Sequence, residues 1–107
     1  MSFQSLGLAE PILRVLTEQG YTEATPVQQR SIPLIRSGKD LLAGAQTGTG
    51  KTAAFTLPLL QHLLNAPMVL TAGQVRVLVL TPTRELAQQV HESVLTYSRH
   101  VACRSAV

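Results

Sequence analysis

The chain has few aromatic residues and almost no cysteine. Its 107 residues include two Phe, two Tyr, no Trp and one Cys, and 45% are hydrophobic. The core must therefore be aliphatic, and the length suits one globular domain at the small end of the usual range. The lone Cys103 permits neither an internal disulfide nor a cysteine cluster for zinc, which favours a reducing, cytoplasmic compartment.

Targeting and membrane signals are also lacking. The N-terminus has no basic stretch followed by an apolar one, so we expect no signal peptide. No run approaches the roughly 20 apolar residues of a membrane span, so we expect no membrane association. The net charge of +3 is scattered along the chain, which permits a polyanionic partner without requiring one. The three histidines show no metal-ligand spacing.

Apolar periodicity and capping residues predict four helices. Thr25 and Gln28 have the spacing of a capping box at the start of the second helix. Pro33 lies inside a helical pattern and predicts a kink or a shortened helix, and Pro58 predicts another kink. The four predicted helices span residues 10–19, 26–36, 51–64 and 83–99.

Three apolar segments predict β-strands between and after these helices. They cover residues 40–44, 75–81 and the C-terminal stretch 101–107. Strands that alternate with helices indicate an α/β fold, a parallel sheet with flanking helices and right-handed crossovers. Three strands would leave both sheet edges uncovered, so we expect this chain to be the N-terminal portion of a larger domain.

A glycine-rich segment, "AGAQTGTGKT", follows the first predicted strand. Gly48 and Gly50 tolerate unusual dihedral angles and lack Cβ atoms, so backbone N–H groups there can converge on phosphate oxygens. A helix that begins near Lys51 adds its N-terminal dipole. Lys51 would reach the β- and γ-phosphates, and the Thr52 hydroxyl would ligate Mg²⁺. The segment therefore predicts a site for a nucleoside triphosphate.

This phosphate loop alone leaves several protein classes open. Ala45 stands where the general P-loop pattern has its first glycine. Kinases, GTPases, transporters and helicases all use such loops. A GTPase would need an Asn/Lys-x-Asp element for guanine, and none follows. A kinase would need a lid and an acceptor site, of which there is no sign.

Two flanking segments narrow the choice. "GYTEATPVQQ" precedes the loop and "TPTRELAQQ" follows it. Together with "AQTGTGKT" they resemble the DEAD-box ATP-dependent RNA helicases, in which alanine at position 45 is usual. The resemblance covers essentially all 107 residues and implies the N-terminal part of the first RecA-like domain. "MSFQSLGL" also resembles the bacterial RhlE-like subgroup. The implied motifs are the Q motif at about 1–29, the P-loop at 45–52 and motif Ia at 82–87.

The resemblance implies an ATP site with Mg²⁺. Gln28 would hydrogen-bond adenine, because a side-chain amide offers both a donor and an acceptor. Phe3 would pack on the base, and Tyr21, Thr22 and Arg30 would line or support its pocket. Local sequence offers simpler roles, since Gln28 already completes the capping box and Phe3 could be a core aromatic. Lys51 and Thr52 would act on the reacting phosphates. The implied phosphate-binding residues are Ala45, Gln46, Thr47, Gly48, Thr49, Gly50, Lys51 and Thr52.

The resemblance also implies an RNA surface. Pro82, Thr83 and Arg84 would meet the RNA backbone, and a guanidinium pairs well with phosphate. Backbone contacts carry little sequence information, so we expect little sequence preference. By itself the segment is an ordinary helix start in which Thr83 could be the N-cap and Glu85 would favour the helix dipole.

The catalytic Asp-Glu-Ala-Asp and the Ser-Ala-Thr motifs of this family are absent from the 107 residues. We expect the full-length protein to be an RNA-dependent ATPase that unwinds short duplexes. We expect the 107 residues alone not to hydrolyse ATP, because in-line phosphoryl transfer needs groups that they lack. The alternative is a non-catalytic module that binds adenine nucleotide or RNA. The sequence does not indicate an oligomeric state.

Overall fold

The computed structural model describes residues 1–46, 48, 50–66 and 70–107. All four predicted helices are confirmed, the second with the predicted ends and the others within two residues. Neither the second helix nor the third ends at its interior proline, Pro33 or Pro58. Within these ranges, no helix combines the length and the apolar composition that a membrane span requires. A short 3-10 helix, Phe3–Leu6, precedes α1 (Glu10–Glu18), α2 (Pro26–Arg36), α3 (Lys51–Asn65) and α4 (Arg84–Tyr97).

The predicted parallel sheet is not formed in the part of the chain that the structure describes. The three apolar segments predicted as strands form no paired strand there, so the parallel sheet is not confirmed for these residues. A strand is stable only beside a hydrogen-bonded neighbour. Most side chains of the first two segments instead face solvent, with Leu42 99% and Leu80 84% exposed. In the third segment Val101 and Cys103 are partly buried and pack against the core. The apolar composition of these segments predicted a tendency to form strands, but it does not specify which segment each strand would pair with.

Glycines end α1 and α2 in the same way. Gly20 has a φ of 78°; its N–H bonds to the Thr17 carbonyl at 3.0 Å, and the Tyr21 N–H bonds to the Leu16 carbonyl at 2.8 Å. This pair of hydrogen bonds satisfies the last carbonyl groups of α1. It requires a left-handed backbone conformation at position 20, which glycine adopts without strain. Gly38 has the same role after α2.

The core lies between the N-terminal segment, α1, α2 and α3. Apart from Phe3 it is aliphatic, as the composition predicts. Its packing brings the N-terminal ends of α2 and α3 together, which places the capping box beside the glycine-rich loop. The buried cluster consists of Phe3, Leu6, Leu8, Ile12, Leu16, Ala24, Ile32, Ala53, Leu57 and Leu60.

Candidate functional site

The start of α2 is fixed by the predicted capping box. The Thr25 hydroxyl accepts a hydrogen bond from the Gln28 backbone N–H at 3.4 Å, and the Gln28 Oε1 accepts one from the Thr25 N–H at 2.9 Å. Gln28 is only 6% exposed. Since a buried amide must be hydrogen-bonded, this reciprocal pair gives Gln28 one fixed orientation.

The other end of the same amide reaches the glycine-rich loop. Gln28 Nε2 donates to the Gly50 carbonyl at 3.2 Å. Gly50 has a φ of 89°. A Cβ at this position would collide with the Gln28 amide and would lie 3.2 Å from the Thr25 hydroxyl oxygen. Gly50 is therefore required for two reasons, its left-handed backbone and the close approach of Gln28.

The loop leads directly into α3, whose first residue is Lys51. Lys51 Nζ donates to the Ala45 carbonyl at 2.6 Å, so its side chain lies across the loop. The ammonium and the helix N-terminus are both positive, and together they favour a bound anion. Thr52 is half-buried in the first helical turn, while Gly48 and Gln46 are exposed. Thr47 and Thr49, both predicted to bind phosphate, lie outside the described residues.

Two shallow cavities lie beside α2 and the segment that precedes the loop, and the first is also lined by α3. The first has a volume of about 470 Å³ and is lined by Lys51 together with Ser31 and Phe55. The second, of about 390 Å³, is lined by Arg30 and Ala45. Arg30, predicted to line or support the base pocket, and Ala45, the first residue of the predicted phosphate loop, thus line the same cavity.

The remaining residues predicted for the base pocket lie in different surroundings. Phe3 is 4% exposed and packs inside the core. Tyr21 and Thr22 are exposed. Burial, and to a smaller extent the neighbouring Tyr21, raises the pKa of the Tyr97 hydroxyl, which places Tyr21 near the end of α4. A role for these side chains in base binding stays a prediction.

The segment predicted to contact RNA forms the start of α4. The Thr83 hydroxyl caps this helix by accepting a hydrogen bond from the Leu86 N–H at 3.1 Å. The capping role suggested by local sequence is therefore confirmed. Pro82, Thr83 and Arg84 are all exposed, so their predicted contact with RNA is sterically open.

Two partly buried polar contacts were not predicted. Arg36 and Gln61 bond to the backbone of the N-terminal segment. Gln61 follows Leu57 by four residues, so a polar residue on the apolar face of α3 was the available sequence signal. Arg36 had no comparable signal, because it stands at a helix end where basic residues are common.

No group of three or more His, Cys, Asp or Glu side chains within the described ranges could hold a metal ion. A metal at this loop would therefore depend on the Thr52 hydroxyl and on ligands that arrive with it. This chemistry fits a magnesium ion that comes with phosphate groups, since Mg²⁺ usually keeps several waters and few protein ligands.

A glycine loop between an apolar segment and a helix that starts with Lys-Thr defines a P-loop nucleotide-binding protein. The model of the DEAD/DEAH box helicase family matches residues 25–107. The chain therefore belongs to the DEAD/DEAH box helicase family.

Similar proteins occur in fungi and bacteria. The ATP-dependent RNA helicase DRS1 of Chaetomium globosum is 50% identical over 99 residues, which are 92% of this chain and 12% of that protein. The ATP-dependent RNA helicase DeaD of Escherichia coli K12 is 48% identical over 103 residues, 94% of this chain and 15% of that protein. The chain thus spans less than a fifth of the length of these two relatives.

A solved structure has the same fold. The RNA helicase Prp28 from Chaetomium thermophilum, in a crystal structure bound to ADP, aligns with a TM-score of 0.86 and 35% sequence identity. The alignment covers 94% of this chain and 24% of that one. The backbone therefore follows the RecA-like helicase domain with which it aligns, although the apolar segments lack strand pairing in the described residues.

Proposed function

We propose that the full-length protein is an ATP-dependent RNA helicase that couples ATP hydrolysis to the local unwinding of short RNA duplexes. In this proposal the present chain is the ATP-binding part of the first RecA-like domain. The observation that carries the proposal is the position of Lys51, the first residue of α3, with its ammonium 2.6 Å from the Ala45 carbonyl. A triphosphate entering the loop would replace that carbonyl as the partner of the ammonium.

The phosphates would be bound by the loop and by the first turn of α3. Backbone N–H groups of residues 45–52 would cradle the phosphate oxygens, and Lys51 would neutralise part of their charge. Magnesium would supply charge neutralisation at the β- and γ-phosphates. The Thr52 hydroxyl would be one of its ligands, and the nucleotide and water would provide the others.

The adenine would be recognised by Gln28. Its amide has two N–H donors and two acceptor sites, and the contacts with Gly50 and Thr25 use one of each. One donor and one acceptor thus remain for the edge of the base. Tyr21, Thr22 and Arg30 are exposed and would line the pocket. Phe3, which is 4% exposed, would pack on the base through the small part of its side chain that is accessible.

RNA would bind at the exposed start of α4, through Pro82, Thr83 and Arg84. The N–H groups of a helix N-terminus and an arginine are common partners of phosphate oxygens. Such contacts read the backbone rather than the bases, so the protein would bind RNA with little sequence preference. Within the family, the opening "MSFQSLGL" supports a bacterial RhlE-like subgroup, and the lone Cys103 supports a cytoplasmic location.

For the 107 residues alone we propose binding without hydrolysis. Their one aspartate is Asp40, which precedes the P-loop, and they contain no Asp-Glu-Ala-Asp motif. The chain alone would thus act as a module that binds adenine nucleotide or RNA, which is the alternative to a catalytic unit.

The test is ATP hydrolysis by the full-length protein with and without a short RNA duplex. We expect RNA to raise the hydrolysis rate, and Lys51→Met to abolish the increase while the exposed control Arg104→Met retains it. Equal rates with and without RNA would contradict the helicase proposal.

A further inference from the structure

The first nine residues pass along one side of α2 and α3, the helices that flank the P-loop. We name residues 1–9 the N-terminal strap. Phe3, Leu6 and Leu8 are buried in the core cluster. The Met1 carbonyl accepts a hydrogen bond from the Ala24 N–H at 3.1 Å. The strap is therefore packed on the body of the domain rather than extended into solvent.

Arg36, the last residue of α2, binds the middle of the strap. Its Nη1 donates to the Leu6 carbonyl at 2.8 Å. Gly7 has a φ of 76°, and a Cβ there would collide with the Arg36 guanidinium. Arg36 Nε is buried, and no described group bonds to it. The guanidinium thus fits closely against the strap at Leu6 and Gly7.

Gln61 of α3 binds the end of the strap. Its Oε1 accepts a hydrogen bond from the Ala9 N–H at 2.6 Å, and its Nε2 donates to Asn65 Oδ1 at 2.8 Å. The side chain is 6% exposed. With both ends of the amide engaged, Gln61 has a single orientation that serves the strap.

Side chains also join α2 and α3 to each other. Gln28 links the start of α2 to Gly50, immediately before α3. The His62 ring of α3 lies 2.8 Å from the Ile35 carbonyl near the end of α2. The strap adds a third connection, because it is bonded to α2 through Arg36 and to α3 through Gln61. All three connections restrain the relative position of the two helices that carry the nucleotide-binding residues.

We propose that Arg36 and Gln61 are positioning residues for nucleotide binding that act through the N-terminal strap. They do not contact the nucleotide. They hold the strap across α2 and α3 and so keep Gln28 and Lys51 at the separation that a bound nucleotide needs. The inference rests on the proposed binding of adenine nucleotide. Because coupling between two sites is reciprocal, a bound nucleotide must in turn hold the strap more tightly.

The first test is the affinity of the full-length protein for a fluorescent ADP analogue. We expect Arg36→Met and Gln61→Met each to raise the dissociation constant about five-fold or more, the lower end of typical coupling between sites. Arg36→Lys keeps a cationic donor and should recover part of the affinity. Matched controls are Arg104→Met and Gln88→Met, which change exposed residues away from the strap and should leave the constant unchanged.

The second test needs no variant and separates positioning from simple stability. Amide hydrogen exchange of the unmodified protein should slow at Ala9 and Ala24 when ADP is added. Unchanged exchange at both amides would overturn the inference. It would also be overturned if the Arg36→Met and Gln61→Met proteins of the first test have a lower melting temperature but bind ADP normally. If the unmodified protein does not bind ADP, the proposed function itself fails, which is a different result.

Discussion

Gln28 Nε2 and the Gly50 carbonyl oxygen lie 3.2 Å apart and join two sequence motifs through one hydrogen bond. The motif before the P-loop and the P-loop itself are thus parts of one structure. Gln28 carries the contact because the capping box has already fixed its side chain. Any ligand that moves this amide must also move the residue that precedes Lys51.

The contact predicts different effects for two glycines of the loop. Both Gly48 and Gly50 have positive φ, but a Cβ at Gly48 meets no described atom within 4 Å. We expect Gly50→Ala to lower the free energy of unfolding by about 1–3 kcal/mol more than Gly48→Ala, because only at Gly50 would the added methyl group collide with a neighbouring side chain. Chemical denaturation followed by circular dichroism measures the difference. Equal losses would show that the Gln28 contact adds no constraint.

Base selectivity separates the two roles of Gln28. Gln28→Ala should remove the preference for ATP over GTP and also weaken the capping box. Thr25→Ala breaks the same capping box, which lowers the free energy of unfolding by about 1 kcal/mol, but it keeps the Gln28 side-chain amide. Competition of ATP and GTP for the fluorescent ADP analogue measures the selectivity. If Thr25→Ala loses the selectivity for ATP as fully as Gln28→Ala does, the role of Gln28 is confined to capping α2.

Arg84 should contribute to RNA binding through its contact with a backbone phosphate and not through contacts with the bases. It is exposed at the first position of α4. We expect Arg84→Ala to weaken RNA binding equally for different sequences and to reduce the slope of log affinity against log salt by about one, as for the loss of one phosphate contact. Fluorescence anisotropy over a salt series measures the slope. Arg104→Ala is the control, and an unchanged slope for Arg84→Ala would exclude the contact.

The pairing of Glu18 with Arg99 and His100 predicts how stability depends on pH. The hydrogen bond from His100, reinforced by its charge and by Arg99, holds the pKa of Glu18 below its ordinary value of 4.5. A lowered carboxyl pKa stabilises the fold above the unfolded value, and the contribution is lost as pH falls through the folded value.

The stability difference between the unmodified chain and Glu18→Gln should therefore be present at about pH 6 and should shrink as pH falls below the ordinary carboxyl pKa. Urea titrations at several pH values measure it. Glu92→Gln, which changes an exposed residue of α4, should show no such dependence. A pH-independent difference for Glu18→Gln would argue against the ion pair.

Local signals predicted the helices well. The capping box of α2 involves residues three positions apart, and the start of α3 follows from Gly-Lys-Thr after a loop. Such features depend on neighbouring residues alone, so one sequence suffices to find them. The two helix starts that border the candidate site were predictable for the same reason, and the binding of phosphate there stays a prediction.

Contacts between distant residues were not predictable. The bond between Ala9 and Gln61 joins residues 52 positions apart, and that between Leu6 and Arg36 joins residues 30 apart. No periodicity specifies which buried amide will meet which backbone group. The predicted strands are not confirmed in the described residues for a related reason, since an apolar run indicates a strand but pairing depends on a second segment.

The unpaired apolar segment has a further consequence for the chain when it is produced alone. Residues 75–80 read "VRVLVL", with one charge and strong β-propensity, and Leu78 and Leu80 are mostly exposed. Backbone groups in such a segment pair as readily with another copy as with a domain partner, and this is the usual origin of β-aggregation. We therefore expect the isolated chain to precipitate as its concentration rises, and a charge introduced at Leu78 to delay that precipitation.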